Sequence, residues 1–216
     1  MVRCIRSRST QLVLIALVTT MLSGCHIHKP FEPMDDTVTI RPGSLAVISG
    51  DVSEATMRLA DVLTQQLKDR STFNVLSQEE IGYRAGKYPV AIKEADAAGD
   101  LKPVWFDKSE KAKLDTLQAK VKTDYLFVVW TPYLFRVTNW NRPGGSVSFR
   151  VTVNGNLIEY PKGVAVGYTE FVENKSKSCC LFGKSEGNDV NELLHDAASQ
   201  MADKLISAAK AEKPGK

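Results

Sequence analysis

Histidine and cysteine are scarce in this chain of 216 residues, which holds three of the first and four of the second. The histidines, His26, His28 and His195, form no His-Glu-x-x-His pattern, and no Ser-His-Asp set or glycine-rich phosphate loop is legible. His26-x-His28 could grip a metal only with ligands from elsewhere, so it reads as spacer, and His195, after Leu193-Leu194, reads as the edge of an apolar helix stripe. No cofactor and no metal are therefore expected. An excess of one charge is lacking too. Of 28 basic residues, Arg3, Arg6 and Arg8 stand in the first 24 positions, which hold no acid, so the remaining 25 face 25 acidic residues. Nucleic-acid binding rests on neutralising phosphates with Lys and Arg, and a balanced chain gives it no support. Beyond Cys25 no apolar run is long enough to cross a bilayer.

What is present at the start is a basic segment, an unbroken apolar run from Leu12 to Val18, and then Leu22-Ser23-Gly24-Cys25. The basic residues hold the start in the cytosol, the run is too short for a stable span, and small residues precede a cut. An ordinary secretory signal that contains a cysteine would share these features. Leu22-Ser23-Gly24-Cys25 resembles the lipobox of bacterial lipoproteins, which implies cleavage after Gly24 and lipidation of Cys25. Several acyl chains on one residue exceed what stable anchoring needs. The same resemblance implies the periplasmic face of the outer membrane, because an Asp after the lipidated Cys commonly retains a protein in the inner membrane and here that residue is His26.

The expected division is a signal over 1–24, a lipidated Cys25 with a tether to residue 36, one α/β domain over 37–212, and a frayed tail over 213–216. Residues 26–36 hold two prolines and three acids without periodicity. Leu45-Ala-Val-Ile48 is a compact strand candidate, and Asp51 or Ser53 caps a helix whose stripe is Ala55, Leu59, Val62, Leu63 and Leu67. Phe73 to Leu76 is a second short strand, and Ser77-x-x-Glu80 opens a helix through about Tyr83. Residues 85–108 resist assignment beyond a helical turn near 91–98. Ser109 to Lys122 is a helix with Leu114, Leu117 and Val121 on one stripe. Tyr125 to Trp130, rich in β-branched and aromatic residues, is a strand buried on both faces.

From Ser146 the alternation Val147, Phe149, Val151, Val153 marks a strand with one wet face. Asn154-Gly155 and Pro161-Lys162-Gly163 are both able to turn a hairpin, and the second is favoured, with a bulge at the first, then an antiparallel strand from Val164 to Val172. A polar loop over 173–188 leads to a last helix capped by Asp189 with Glu192, whose face is Val190, Leu193, Leu194, Ala197, Met201, Leu205 and Ile206. The fold class is thus α/β, with a mixed sheet, two early βα units, a carboxyl-terminal antiparallel meander and a long terminal helix. That order, with the buried strand at Tyr125 to Trp130 and the strand ending Asn154-Gly-Asn-Leu-Ile-Glu, resembles the amino-terminal domain of TolB, the curli-secretion lipoprotein and the lipoprotein activators of penicillin-binding proteins. The resemblance covers about residues 40–210 and implies binding or assembly rather than catalysis.

Three features could carry chemistry or contact. The adjacent pair Cys179-Cys180 can close a strained ring or bond another chain, and a thiol-disulfide or metal-handling role follows from the first. Trp140 and Arg142, in Thr138-Asn-Trp-Asn-Arg-Pro-Gly-Gly145, and Trp105 are residue types enriched at interface hot spots, although each ring could instead fold back on the sheet. Asp96, Asp100 and Asp107 read as solvated loop acids. The leading expectation is a lipid-anchored envelope protein that is not an enzyme and binds a protein partner as adaptor or assembly factor. The alternatives are self-association, as in a secretion component, and thiol chemistry at Cys179 and Cys180.

Overall fold

Two periodicities, one of two residues and one near 3.6, alternate along the chain and set its architecture. The computed structural model describes residues 27–33, 39–93, 106–139, 146–178 and 186–210. In chain order these form β1 (Ile27–Pro33), β2 (Ser44–Ser49), α1 (Glu54–Arg70), β3 (Asn74–Val75), α2 (Gln78–Ala85), α3 (Lys108–Val121), β4 (Tyr125–Asn139), β5 (Ser146–Glu159), β6 (Val164–Ser178) and α4 (Glu186–Lys210). The six strands make one mixed sheet in the order β1-β6-β5-β4-β2-β3. β2 is parallel to β3 and β4, whereas β4, β5, β6 and β1 are antiparallel neighbours. The expected α/β class, mixed sheet, early βα units, carboxyl-terminal meander and long last helix are all found.

Strict alternation divides the core in two. Leu45 and Val47 of β2, Phe127 and Val129 of β4, Val151 and Val153 of β5, and Phe171 of β6 pack with Leu59, Leu63 and Leu67 of α1 and Leu194, Met201 and Leu205 of α4. Ala46 and Ile48, Leu126, Val128 and Trp130, with Ile158, pack on the other face with Ile81 of α2 and Leu114, Leu117 and Val121 of α3. The sheet is thus sandwiched between helices, and β4 is buried on both sides along its first six residues. Gly155 makes room for this packing, since a Cβ there would lie 2.5 Å from Met201 Cε and 2.9 Å from Phe127 Cε2.

Local chemistry fixes the ends of the elements. Ser53, rather than Asp51, caps α1 by accepting from the Thr56 N–H, and the Asp51 carboxylate accepts from Ser53 N–H at 2.7 Å and Thr56 Oγ1 at 2.9 Å. Where β2 and β4 begin, Ser44 donates to Asp124 Oδ2 through both its N–H and its hydroxyl at 2.7 Å. These bonds stabilise the charged form and hold the Asp124 carboxyl below its ordinary range, against a smaller upward push from burial.

Several expectations need correction. Residues 27–33, read as part of a tether, form an edge strand against β6; an edge tolerates Pro30 and Pro33, and the register slips between Lys29 and Glu32. Asp107 is no free loop acid but the cap of α3, in a reciprocal capping box with Glu110. Asn154-Gly155 stays in register, and the irregularity against β6 falls between Leu157 and Ile158. β6 continues to Ser178 through part of the expected loop, and α4 starts at Glu186, ahead of Asp189. Ala91 to Lys93 are not helical; the rest of the turn expected there lies outside the described residues.

β4 has an irregularity of its own. Trp130 pairs with Asn154 and Tyr133 with Thr152, so Thr131 and Pro132 together face the single residue Val153. The extra residue reverses the phase of the strand: odd positions face α1 and α4 before it, and Leu134, paired with Val151, takes that side after it. Since β2 pairs with β4 only as far as Val129, no described strand flanks the far part of β4 on that edge.

Candidate functional site

All six residues singled out from sequence, Cys25, Trp105, Trp140, Arg142, Cys179 and Cys180, lie outside the described residues. The structure does fix the residues beside them. Asn139 ends β4, pairs with Ser146 at the start of β5, and Ser146 pairs in turn with Ser178 at the end of β6. The segments holding Trp140 and Arg142, and Cys179 and Cys180, therefore leave the sheet from one row. Trp105 precedes Phe106, whose ring centroid is 6.0 Å from that of Trp130 on the α2–α3 side of the sheet.

Around Phe106 lies a buried polar cluster that sequence reading missed. Lys93 Nζ is 3.0 Å from Glu110 Oε2, 4.6 Å from the Phe106 ring centre and 5.0 Å from the Trp130 ring centre, and both charged side chains are almost wholly buried. The same Glu110 oxygen accepts from the Asp107 N–H at 2.9 Å, so the capping box of α3 also neutralises the lysine. Backbone N–H groups of Ile92 and Lys93 donate to Gly50 O, fastening this strap over the end of β2. Tyr88 packs beneath it, donating to Gln78 and accepting from the Ser49 N–H; burial pushes its phenol up to about 12 despite the Ser49 bond, with Asp61 adding to the rise. The only sequence trace of this cluster is Asp107-x-x-Glu110, a capping pattern.

Beside the strap, α2 and α3 enclose a groove of about 350 Å³ lined by Ala85, Val90, Ala112, Leu117 and three lysines. Lys113 donates to Ala91 O at 2.9 Å and Lys120 to Ala85 O at 3.0 Å, stitching the groove walls together, while Lys87 stands on the exposed rim. No acid is among its lining residues. The small residues Ser109, Ala112 and Thr116 recur at helical spacing on α3, which is the signal from which the groove could have been read. A second cavity of about 140 Å³ lies under Phe106, Leu114 and Ile158. Tyr160, which also lines it, donates to Asp115 at 3.0 Å; burial, then that hydrogen bond and the Asp115 charge, push its phenol well above the usual tyrosine range.

A third surface lies past the bulge in β4. Tyr133, Leu134 and Phe135 are 49%, 44% and 59% exposed, although three consecutive large apolar side chains would ordinarily be covered. Phe135 pairs with Arg150 and Arg150 with Asn174, all exposed on the face away from α4. His195 is exposed on α4. Among the described residues no group of His, Cys, Asp and Glu could hold a metal ion, and no helix is long and apolar enough to cross a membrane.

No protein-family model and no curated protein matches this chain. Solved structures similar to it include lipoprotein GNA1162 from Neisseria meningitidis, at 12% identity and TM-score 0.45 over 75% of this chain and 99% of that one. A minor lipoprotein from Acinetobacter baumannii is similar at 13% identity and TM-score 0.42, over 78% and 93% of the two chains. The PelC dodecamer from Paraburkholderia phytofirmans is similar at 9% identity and TM-score 0.42, over 82% and 96%. Two of these three are bacterial lipoproteins, and similarity at this level assigns the chain to no family and no activity.

Proposed function

We propose that this chain is a lipid-anchored envelope protein that catalyses no reaction and instead holds a protein partner beside the membrane. Its anchor is a lipid on Cys25, and its place is the periplasmic face of the outer membrane. The single observation that carries the partner reading is the groove between α2 and α3: an apolar floor of Ala112, Leu117 and Val90 with Lys87, Lys113 and Lys120 around it and no acid in its lining. Such a groove suits an extended segment that presents an apolar side chain next to a carboxylate, because an ammonium on an apolar surface rewards a charged acceptor more than it would in open water. The short chain from Cys25 to β1 supports a domain held close to the bilayer.

Crosslinking and affinity capture of the intact protein from its native envelope tests this. Charge reversal at Lys87→Glu and Lys120→Glu is expected to cut recovery of the partner at least tenfold, equivalent to about 1.4 kcal/mol or more, while membrane fractionation stays unchanged. Cys25→Ala is expected to release the protein from its lipid and lose the partner with it. Unchanged recovery from the lysine variants would overturn the groove as the contact, and capture of self-crosslinked protein alone would replace the adaptor reading with self-association.

A further inference from the structure

We propose that the far part of the β4–β5–β6 meander, beyond the Thr131-Pro132 bulge, lies against an anionic lipid surface and forms a second membrane contact beside the amino-terminal anchor. The proposal rests on the lipid anchor at Cys25 put forward above, and three observations carry it.

The first is register. Ile27 of β1 pairs with Val172 of β6, Val172 with Thr152 of β5, and Thr152 with Tyr133 of β4. The start of β1 and the exposed apolar residues of β4 thus share one row, about 14 Å apart across three strand spacings. Cys25 is two residues upstream, so its Cα lies within about 7 Å of that of Ile27. Because β1 runs antiparallel to β6, from Val172 at its start toward Gly167 at its end, the anchor belongs to the end of the sheet where Tyr133 to Phe135 are exposed and not to the end with the Pro161-Lys162-Gly163 turn.

Composition is the second. Between Asp124 and Glu159 there is no acidic residue, and the arginines there are Arg136, Arg142 and Arg150. After residue 24 the charges of the whole chain cancel, and of these arginines Arg150 stands exposed beside Phe135, whereas Arg136, opposite Phe149, has the register of the α4 side. Arginines next to Tyr, Phe and Trp are the residue types that settle at a bilayer interface, with the rings at headgroup depth and the guanidinium groups on lipid phosphates. Third, Phe135, Arg150 and Asn174 form an exposed row on the face away from α4, next to Tyr133. From the Thr152 row outward this face carries, among the described residues, large apolar side chains, Arg150 and no acid, which is complementary to anionic headgroups over acyl chains at the level of the anchor.

The test uses the full chain reconstituted in vesicles of phosphatidylethanolamine and phosphatidylglycerol whose acyl chains carry bromine, a short-range quencher. Phe135→Trp puts a reporter on the proposed face, and Tyr83→Trp, at an exposed position of α2, is the control. Both sites are exposed, and melting temperatures equal to that of the unsubstituted chain verify the fold. The added emission from Phe135→Trp is expected to be quenched severalfold more than that from Tyr83→Trp, and less in phosphatidylcholine vesicles. Equal quenching of the two reporters would overturn the membrane contact, and equal quenching in both lipids would overturn the role of charge. A blue-shifted Phe135→Trp emission before vesicles are added would mean that protein, such as a second copy, covers the face, and would also overturn it. The intact mass of the protein reports the lipid on Cys25 separately, so a failed anchor and a failed contact are read in different measurements.

Discussion

The first half of β4 and its second half are built from the same kinds of residue and meet opposite fates. Tyr125 to Trp130 lie between β2 and β5 with helices on both faces and are almost wholly buried, whereas Tyr133 to Phe135 keep β5 on one side and are about half exposed. What differs is the neighbourhood. β2 stops at the partner of Val129, α2 and α3 cover only the inner part of their face, and the two-residue bulge sets the outer part in the opposite phase. Hydrophobicity in a strand therefore marks the need for a partner, and the topology decides whether that partner comes from the same chain.

The contrast is most sharply tested by truncating the two phenylalanines. Phe127→Ala, in the packed half, should cost about 3–5 kcal/mol, and Phe135→Ala no more than about 0.5 kcal/mol, both read by denaturant unfolding. Equal losses would show that the outer half is covered within the folded chain. Breaking the buried ion pair from one side, by Lys93→Met or Glu110→Gln, should cost about 3–5 kcal/mol, while the double variant should recover much of that loss, because no uncompensated charge is left buried. Additive losses in that cycle would show the two groups to be independent.

Gly155→Ala comes next. Its Cβ would press on Met201 and Phe127, and overpacking of this kind costs about 1–3 kcal/mol. The smallest effect is expected at the Ser44–Asp124 pair and shows only against pH. The folded Asp124 carboxyl sits below its unfolded value, so its contribution is present above the ordinary carboxylate range and is lost as pH falls through the folded value. Ser44→Ala should flatten that acid limb of the stability curve and leave its alkaline limb alone, while an unchanged acid limb would assign the dependence to other carboxylates.

Element identity was legible in most places where a local signal existed. The Ser77 cap, the Leu114-Leu117-Val121 stripe and the alternation through Val147 to Val153 each belong to one segment, and each element appears where that signal puts it. Two misreadings share a cause: Ile27 to Pro33 becomes a strand only because β6 offers an edge, and β4 runs past Trp130 only because β5 continues beside it. Asp107 differs, since Asp107-x-x-Glu110 is a local capping pattern that the run of glycines and prolines before it obscured. The candidate surfaces were least legible, since the Lys93–Glu110 contact joins the strap to a helix, and the lysines of the groove come from a loop and one face of α3. Residue types alone carry no record of such meetings.

The meeting of Lys93 with Phe106 and Glu110 has one more consequence. It brings Lys93 and Phe106, the residues on either side of positions 94–105, to one buried point. Doubling the length of a closed excursion costs only about 0.6 kcal/mol in closure entropy. Closure entropy alone therefore sets little limit on how many residues join Lys93 to Phe106.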